Sequence, residues 1–157
     1  MRRREVRRRL EADRDAAFTD ARNLAEEYRD PTQKGGHAHR TFLGHSLQAG
    51  EKVRRHVCCW YRSDTGSGWS SPRWSKVYVT DMRLFIHVSD GELVSVWWRS
   101  PSLRFVADLT RGCVNLDNRR QAVHLSGTQV AVVAVACVFM LDRSQGLRHP
   151  ALRELHR

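Results

Sequence analysis

Eight histidines and four cysteines are the side chains in this chain whose types could support metal or nucleophile chemistry. His37, His39 and His45 fall in the polar stretch "PTQKGGHAHRTFLGHS". Three imidazoles at that spacing need a fourth ligand and a rigid frame to hold a metal ion. The stretch offers neither and reads as a Gly-containing linker, so no metal site is expected. His56, His87 and His124 fall in segments patterned as strands, with no nucleophile pattern beside them. They read as strand histidines rather than general bases. Cys58 and Cys59 are adjacent, and Cys113 and Cys137 stand alone, so no CxxC spacing exists. Neighbours on a strand point to opposite faces, so Cys58 and Cys59 cannot share one metal. All four read as buried, reduced thiols. There is no Gly-rich phosphate loop, no HExxH and no nucleophile elbow. The reading is therefore a protein without a catalytic set or cofactor.

Charge is the other chemistry on offer. The 157 residues carry 27 Lys+Arg against 17 Asp+Glu, a formal net charge of +10. Such a balance suits nucleic acid, anionic lipid or acidic protein partners. Only Lys34, Lys52 and Lys76 are lysines, and an arginine skew of that kind also reflects a GC-rich genome. The opening "RRREVRRR" is a basic arm that could contact phosphates. It lacks the distribution of a recognition helix with base-reading side chains, which makes nucleic acid the lesser expectation. No apolar core follows that arm, so it is not a secretory signal. The longest apolar run, Val130 to Leu141, is 12 residues, against ~20 for a membrane span. A cytoplasmic protein is expected.

These groups need elements to position them. Residues 1–30 read as a helix, with Val6, Leu10, Ala17, Ala21, Leu24 and Tyr28 on one stripe interrupted by Asp13. Its first ten residues hold six arginines against Glu5, and the remainder is acidic. Positive charge at a helix N-terminus opposes the macrodipole, so the first two turns are expected to fray unless a partner neutralises them. Asp30-Pro31 stops the helix. From Leu47 the period changes to two, which predicts strands over about 53–61, 75–80, 83–88, 92–98, 103–109, 112–116 and 120–126. Asp90-Gly91 is a two-residue turn signal, and Asn118 beside Arg119 is a weaker one. The run 128–141 is long for a strand and is read as a helix with Thr128 at its N-cap, despite its valines. The tail breaks at Pro150 and ends in a helical turn.

The order of seven antiparallel strands and one C-terminal helix resembles a pleckstrin-homology-type barrel. "LQAGEKV", Leu47 to Val53, is similar to the entry of GRAM and bacterial PH-like domains, where a Gly-Glu pair leads into the first strand. "VYVTDMRLFI" is similar to their hairpin between the second and third strands. The resemblance covers residues 47–142; the long first loop with its two tryptophans and the Val-rich last helix depart from it. The implied fold class is mostly β (α+β): a PH-like seven-stranded antiparallel barrel or sandwich capped by a C-terminal helix, with an N-terminal helical extension. The domain plan is an amphipathic helix at 1–30, a polar linker at 31–46, a PH/GRAM-like domain at 47–142 and a tail at 143–157. Folding alone explains the turn. Thr80 and Asp81 can bond its backbone through their side-chain oxygens, and Arg83, a fork of five donors, can pair with Asp81 or collect loop carbonyls.

Some PH-type domains bind phosphoinositides with basic residues on the first two strands and their loop. The matching positions are Arg54, Arg55, Arg62, Arg73 and Lys76, with Trp69 and Trp74 in the connector suited to a membrane interface or a stacking contact. Peripheral binding to an anionic membrane surface is thus the second expectation. The first is a protein partner or homodimer. If Val130, Val133, Ala134 and Cys137 face the sheet, the other side of the last helix presents Val132, Val135 and Phe139, and a helix apolar all round is buried all round. The stripe with Leu10, Leu24 and Tyr28 is the expected cover, within one chain or from a second copy. The chain reads as a binding or scaffolding module.

Overall fold

The computed structural model describes residues 2–30, 32, 41, 42 and 45–157, the positions at 41, 42, 45 and 46 by backbone alone. His37 and His39 lie outside the described residues, as does most of the 31–46 linker. Helix α1 spans Arg2–Arg29. Its first turns, where fraying was expected, are helical from Arg2. Ion pairs one turn apart, Arg9 to Glu5 and Arg7 to Glu11, brace that end.

A two-residue hairpin, β1 (Thr41–Phe42) and β2 (His45–Ser46), precedes the main sheet. The sheet comprises β3 (Val53–Ser63), β4 (Arg73–Thr80), β5 (Arg83–Val88), β6 (Leu93–Trp97), β7 (Arg104–Asp108), β8 (Cys113–Asp117) and β9 (Ala122–Ser126). All pairings are antiparallel, in the order β6-β5-β4-β3-β9-β8-β7. Helix α2 (Val130–Leu141) follows, then two 3-10 segments, Gly146–Arg148 and Pro150–His156.

Period-two patterning explains the strands. On β3, Val57, Cys59 and Tyr61 are buried, and Val77 and Val79 on β4, Leu84 and Ile86 on β5, and Val123 and Leu125 on β9 join them. Ser75, also on this inner side, donates its hydroxyl to the Cys59 carbonyl at 2.8 Å, so its buried oxygen is not left bare. The tight β5–β6 turn places Gly91 at φ 94°, a conformation glycine adopts without steric cost.

The expected barrel does not close. Strands β6 and β7 are the two edges of an open sheet. Side chains join them instead of backbone bonds: Val94 and Val96 of β6 and Trp98 just after it belong to one apolar cluster with α2, and Phe105 and Ala107 of β7 pack on it. Helix α2 is the plug. Each residue from Val130 to Phe139 is buried. Five valines in this helix cost up to about 0.7 kcal/mol each in helix propensity. Burying each side chain contributes about 1.5–3 kcal/mol, so packing overrides propensity. The expected Thr128 cap is absent; Gln129 holds the N-cap position without a capping bond. Its Oε1 instead accepts from the Cys58 backbone N–H at 2.7 Å, fastening the helix start to β3.

The outer side of α2 is covered from within the chain. Ala17, Ala21, Leu24, Ala25 and Tyr28 of α1 are buried, and Tyr28 stacks on Phe139 with ring centroids 5.4 Å apart. Arg143 donates to the Tyr28 carbonyl and Arg22 to that of Leu155. Val132, Val135, Phe139, Leu24 and Tyr28 therefore all enter one core. Leu10 does not: with Val6 it is exposed, on the half of α1 (2–16) that runs past the domain without burying a residue.

Candidate functional site

At the hairpin Thr80-Asp81-Met82-Arg83 the ion pairs differ from expectation. Arg83 turns away from Asp81 and inward to Glu51, with Nε to Oε2 and Nη2 to Oε1 both at 3.0 Å. The pair is almost fully enclosed. Thr80 Oγ1 lies 2.7 Å from Glu51 Oε2 and accepts from the N–H groups of Met82 and Arg83. Burial works to raise the Glu51 carboxyl, but hydrogen bonds from Arg83, Thr80 and the Gln48 N–H outweigh it and hold it below the usual range. Asp81 pairs with Arg54 instead, at 2.6 Å from Nε.

The seven basic and aromatic positions separate into two sets. A β-bulge between Val53 and Arg55 shifts the start of β3. Arg55 meets Asp20 at 2.9 Å and Glu27 at 3.1 Å, both on α1. Arg54 is taken by Asp81. Arg73, at the opposite end of the sheet, is held by Asp90 and by Glu92 at 2.8 Å. These three guanidinium groups are neutralised within the chain: Arg54 and Arg55 both approach Glu27 of α1, and Arg73 lies apart from them. Arg62 and Lys76 are different: neither has an acidic partner among the described residues.

Those two lie on the outer face of the sheet with the exposed tryptophans. Alternation sends His56, Cys58, Trp60 and Arg62 of β3 outward, opposite Val57, Cys59 and Tyr61. On β4, Trp74, Lys76 and Tyr78 take the same side. Register then sets the rows: Trp60 beside Trp74, Cys58 beside Lys76, and Arg62 beside His124, which is itself beside Asn115. Trp60 and Trp74 meet edge to face at 5.0 Å, and Trp69 tilts over His124 at 5.6 Å. Trp60, Trp69 and Trp74 stay 45%, 43% and 44% exposed. At the far end of the same face, loop residue Leu47 packs over Val53, Tyr78 and Phe85 and closes it. The open part therefore runs from Lys76 and the Trp60/Trp74 pair to Val106 on edge strand β7.

Beside Trp69 is an open cleft of about 680 Å³, lined among others by Arg104, Val106, Asn115 and Asp117. Asn115 Oδ1 is within hydrogen-bonding reach of His124 Nδ1. Burial, then the Arg62 charge, depresses the His124 pKa; burial and Lys76 do the same to His56. Both rings are thus held toward their neutral form and offer flat surfaces and hydrogen bonds. Such a face can stack planar rings and attract an anion.

Of the expected site residues, Arg62, Lys76, Trp69 and Trp74 are brought together, whereas Arg54, Arg55 and Arg73 stand apart. Trp60, His124 and Asn115 were missed. The signal was present for Trp60, whose parity on β3 is opposite to that of Val57, Cys59 and Tyr61. On β3 parity divides the adjacent thiols, Cys59 buried and Cys58 half-buried; Cys137 on α2 is buried and Cys113 on β8 half-buried, correcting the expectation of four buried groups. Burial pushes the Cys59 thiol up to about 12. Among the described residues no His, Cys, Asp and Glu group could hold a metal ion, and no helix is long and apolar enough to cross a membrane. In comparisons with known proteins, the chain matches no family model, no curated protein and no solved structure.

Proposed function

We propose that the chain is a PH/GRAM-like binding module, not an enzyme, that holds an anionic macromolecular partner against the open face of its sheet. The PH-like part of this reading is supported by seven antiparallel strands followed by a helix. It is also supported by the bond between the two motifs that carry the resemblance, Glu51 of the Gly-Glu pair and Arg83 of the hairpin. The observation that carries the binding part is the contrast between two apolar surfaces. The α2 face, the expected partner site, is filled by α1 of the same chain. The sheet face keeps three half-exposed tryptophans beside two cations without acidic partners. Self-association through α2 thereby loses its support, and the partner surface moves to β3 and β4.

Tryptophan emission reads this face directly. The full chain is titrated at low salt with vesicles of phosphatidylcholine and phosphatidylserine and with oligonucleotides. The reading expects at least one polyanion to shift or quench the emission and added salt to reverse the change. If none of them alters it, the binding-face reading is wrong.

A further inference from the structure

We infer that the ligand of this face is single-stranded nucleic acid, an assignment that rests on the binding reading above. Single strands are held by two coupled features: aromatic rings on which unstacked bases lie, and cations that track the phosphates. The outer face has both in adjoining rows. Trp60 and Trp74 form one ring site. Trp69 over His124 forms the next, one row along. Residues Trp60 and Arg62, which head these rows on β3, are two positions apart, a step of about 7 Å along a strand. Arg62 and Lys76 bracket the Trp60/Trp74 pair on the same face.

The cleft beside Trp69 adds what a base edge requires. Asn115 brings an amide and Arg104 a guanidinium, and the His124 ring stands behind Asn115, its Nδ1 within hydrogen-bonding reach of Oδ1. Asp64 and Asp117 also line it. Those two carboxylates disfavour a phosphate inside the cleft, so the base enters and the backbone keeps to the Arg62 side. A duplex does not present its base faces, so it cannot use the indoles. A bilayer is the poorer fit, because the rings alternate with Ser126, His124 and Asn115 across strands rather than projecting from one apolar tip.

The test uses fluorescence anisotropy with a labelled 12-nucleotide oligouridylate, the same length of oligothymidylate, a 12-base-pair duplex, and phosphatidylserine vesicles. The full chain is compared with Trp60→Ala, Trp74→Ala, Trp60→Phe and a variant with Arg2, Arg3, Arg4, Arg7, Arg8 and Arg9 changed to Gln. The inference expects a single strand to bind more tightly than the duplex and to quench tryptophan emission. Each Ala substitution should weaken binding roughly tenfold or more, with Trp60→Phe restoring most of it. The Gln variant should lower affinity but keep the preference for a single strand. Equal or tighter binding of the duplex would overturn the inference. So would Ala variants that bind as well as the parent, since the arm's charge would then account for everything. Tryptophan-dependent binding to vesicles without binding to either oligonucleotide removes the nucleic-acid assignment and leaves the binding face. Silence from every probe removes both.

Discussion

Arg83 and Glu51, 32 positions apart, form a two-point ion pair with both N···O distances at 3.0 Å. Glu51 precedes the first strand of the main sheet, and Arg83 opens the third. The pair ties the entry loop to the β4–β5 hairpin, and Ser95 takes a further bond from Arg83 at 2.9 Å. The guanidinium also lies over the rings of Phe85 and Trp97 at 4.6 and 4.5 Å.

Breaking this pair from one side leaves an enclosed charge without a partner. Glu51→Gln or Arg83→Met should each destabilise the fold by about 3–5 kcal/mol. The double change to apolar residues should cost less than the two single changes added together. Urea melts of the four proteins test this, and strict additivity would contradict it.

The same carboxylate sets a pH dependence. Its folded pKa lies below its ordinary value of 4.5, so the unfolded chain binds the proton more readily. The stability it contributes is full above about pH 4.5 and is lost as pH falls through the lower folded value. The gap in Tm between the parent and Glu51→Gln should be constant from pH 7 to about 5 and shrink below that. A gap unchanged down to pH 3 would exclude the assignment.

Helix α1 has two halves with different roles. Its buried half covers Val132 and Phe139, while residues 2–16 bury nothing. Deleting residues 1–14 should leave the Tm within a few degrees of the parent. Deleting 1–30 should expose the α2 face and give aggregates in light scattering. Identical behaviour of the two truncations would show that α1 does not dock in solution.

Tyr28 and Phe139 make that contact measurable by a point change. Phe139→Ala removes the ring stacked on Tyr28 and opens a cavity, for a loss of about 3–5 kcal/mol. Leu10→Ala, on the exposed half of the same stripe, should change stability by no more than about 0.5 kcal/mol. Chemical denaturation of both variants gives the comparison.

Helix α1 also supplies the partners of Arg55. In a double-mutant cycle, Arg55→Met with Glu27→Gln should show coupling of about 0.5–3 kcal/mol. The exposed Arg7–Glu11 pair should show roughly 0.3–0.5 kcal/mol at most. Added salt should reduce the second coupling more than the first.

Local order was legible in the sequence by itself. The strands from β3 to β9 lie within a few residues of the alternating runs, because a two-residue period is a property of neighbouring side chains. Helices α1 and α2 were legible for the same reason, as was the need to cover Val132 and Phe139. Associations across the chain were not legible. Arg83 chose Glu51 over the adjacent Asp81, and Arg54 and Arg55 were claimed by Asp81 and α1, since ion pairs follow distance in space and enclosure rather than order in the chain. The same holds for Gln129, which holds the Cys58 backbone where a cap from Thr128 was expected. The open edge between β6 and β7 was decided by α2 filling the gap. The outer face was decided by register alone: only strand pairing sets Trp60 against Trp74 and Arg62 against His124, on the side that neither helix covers.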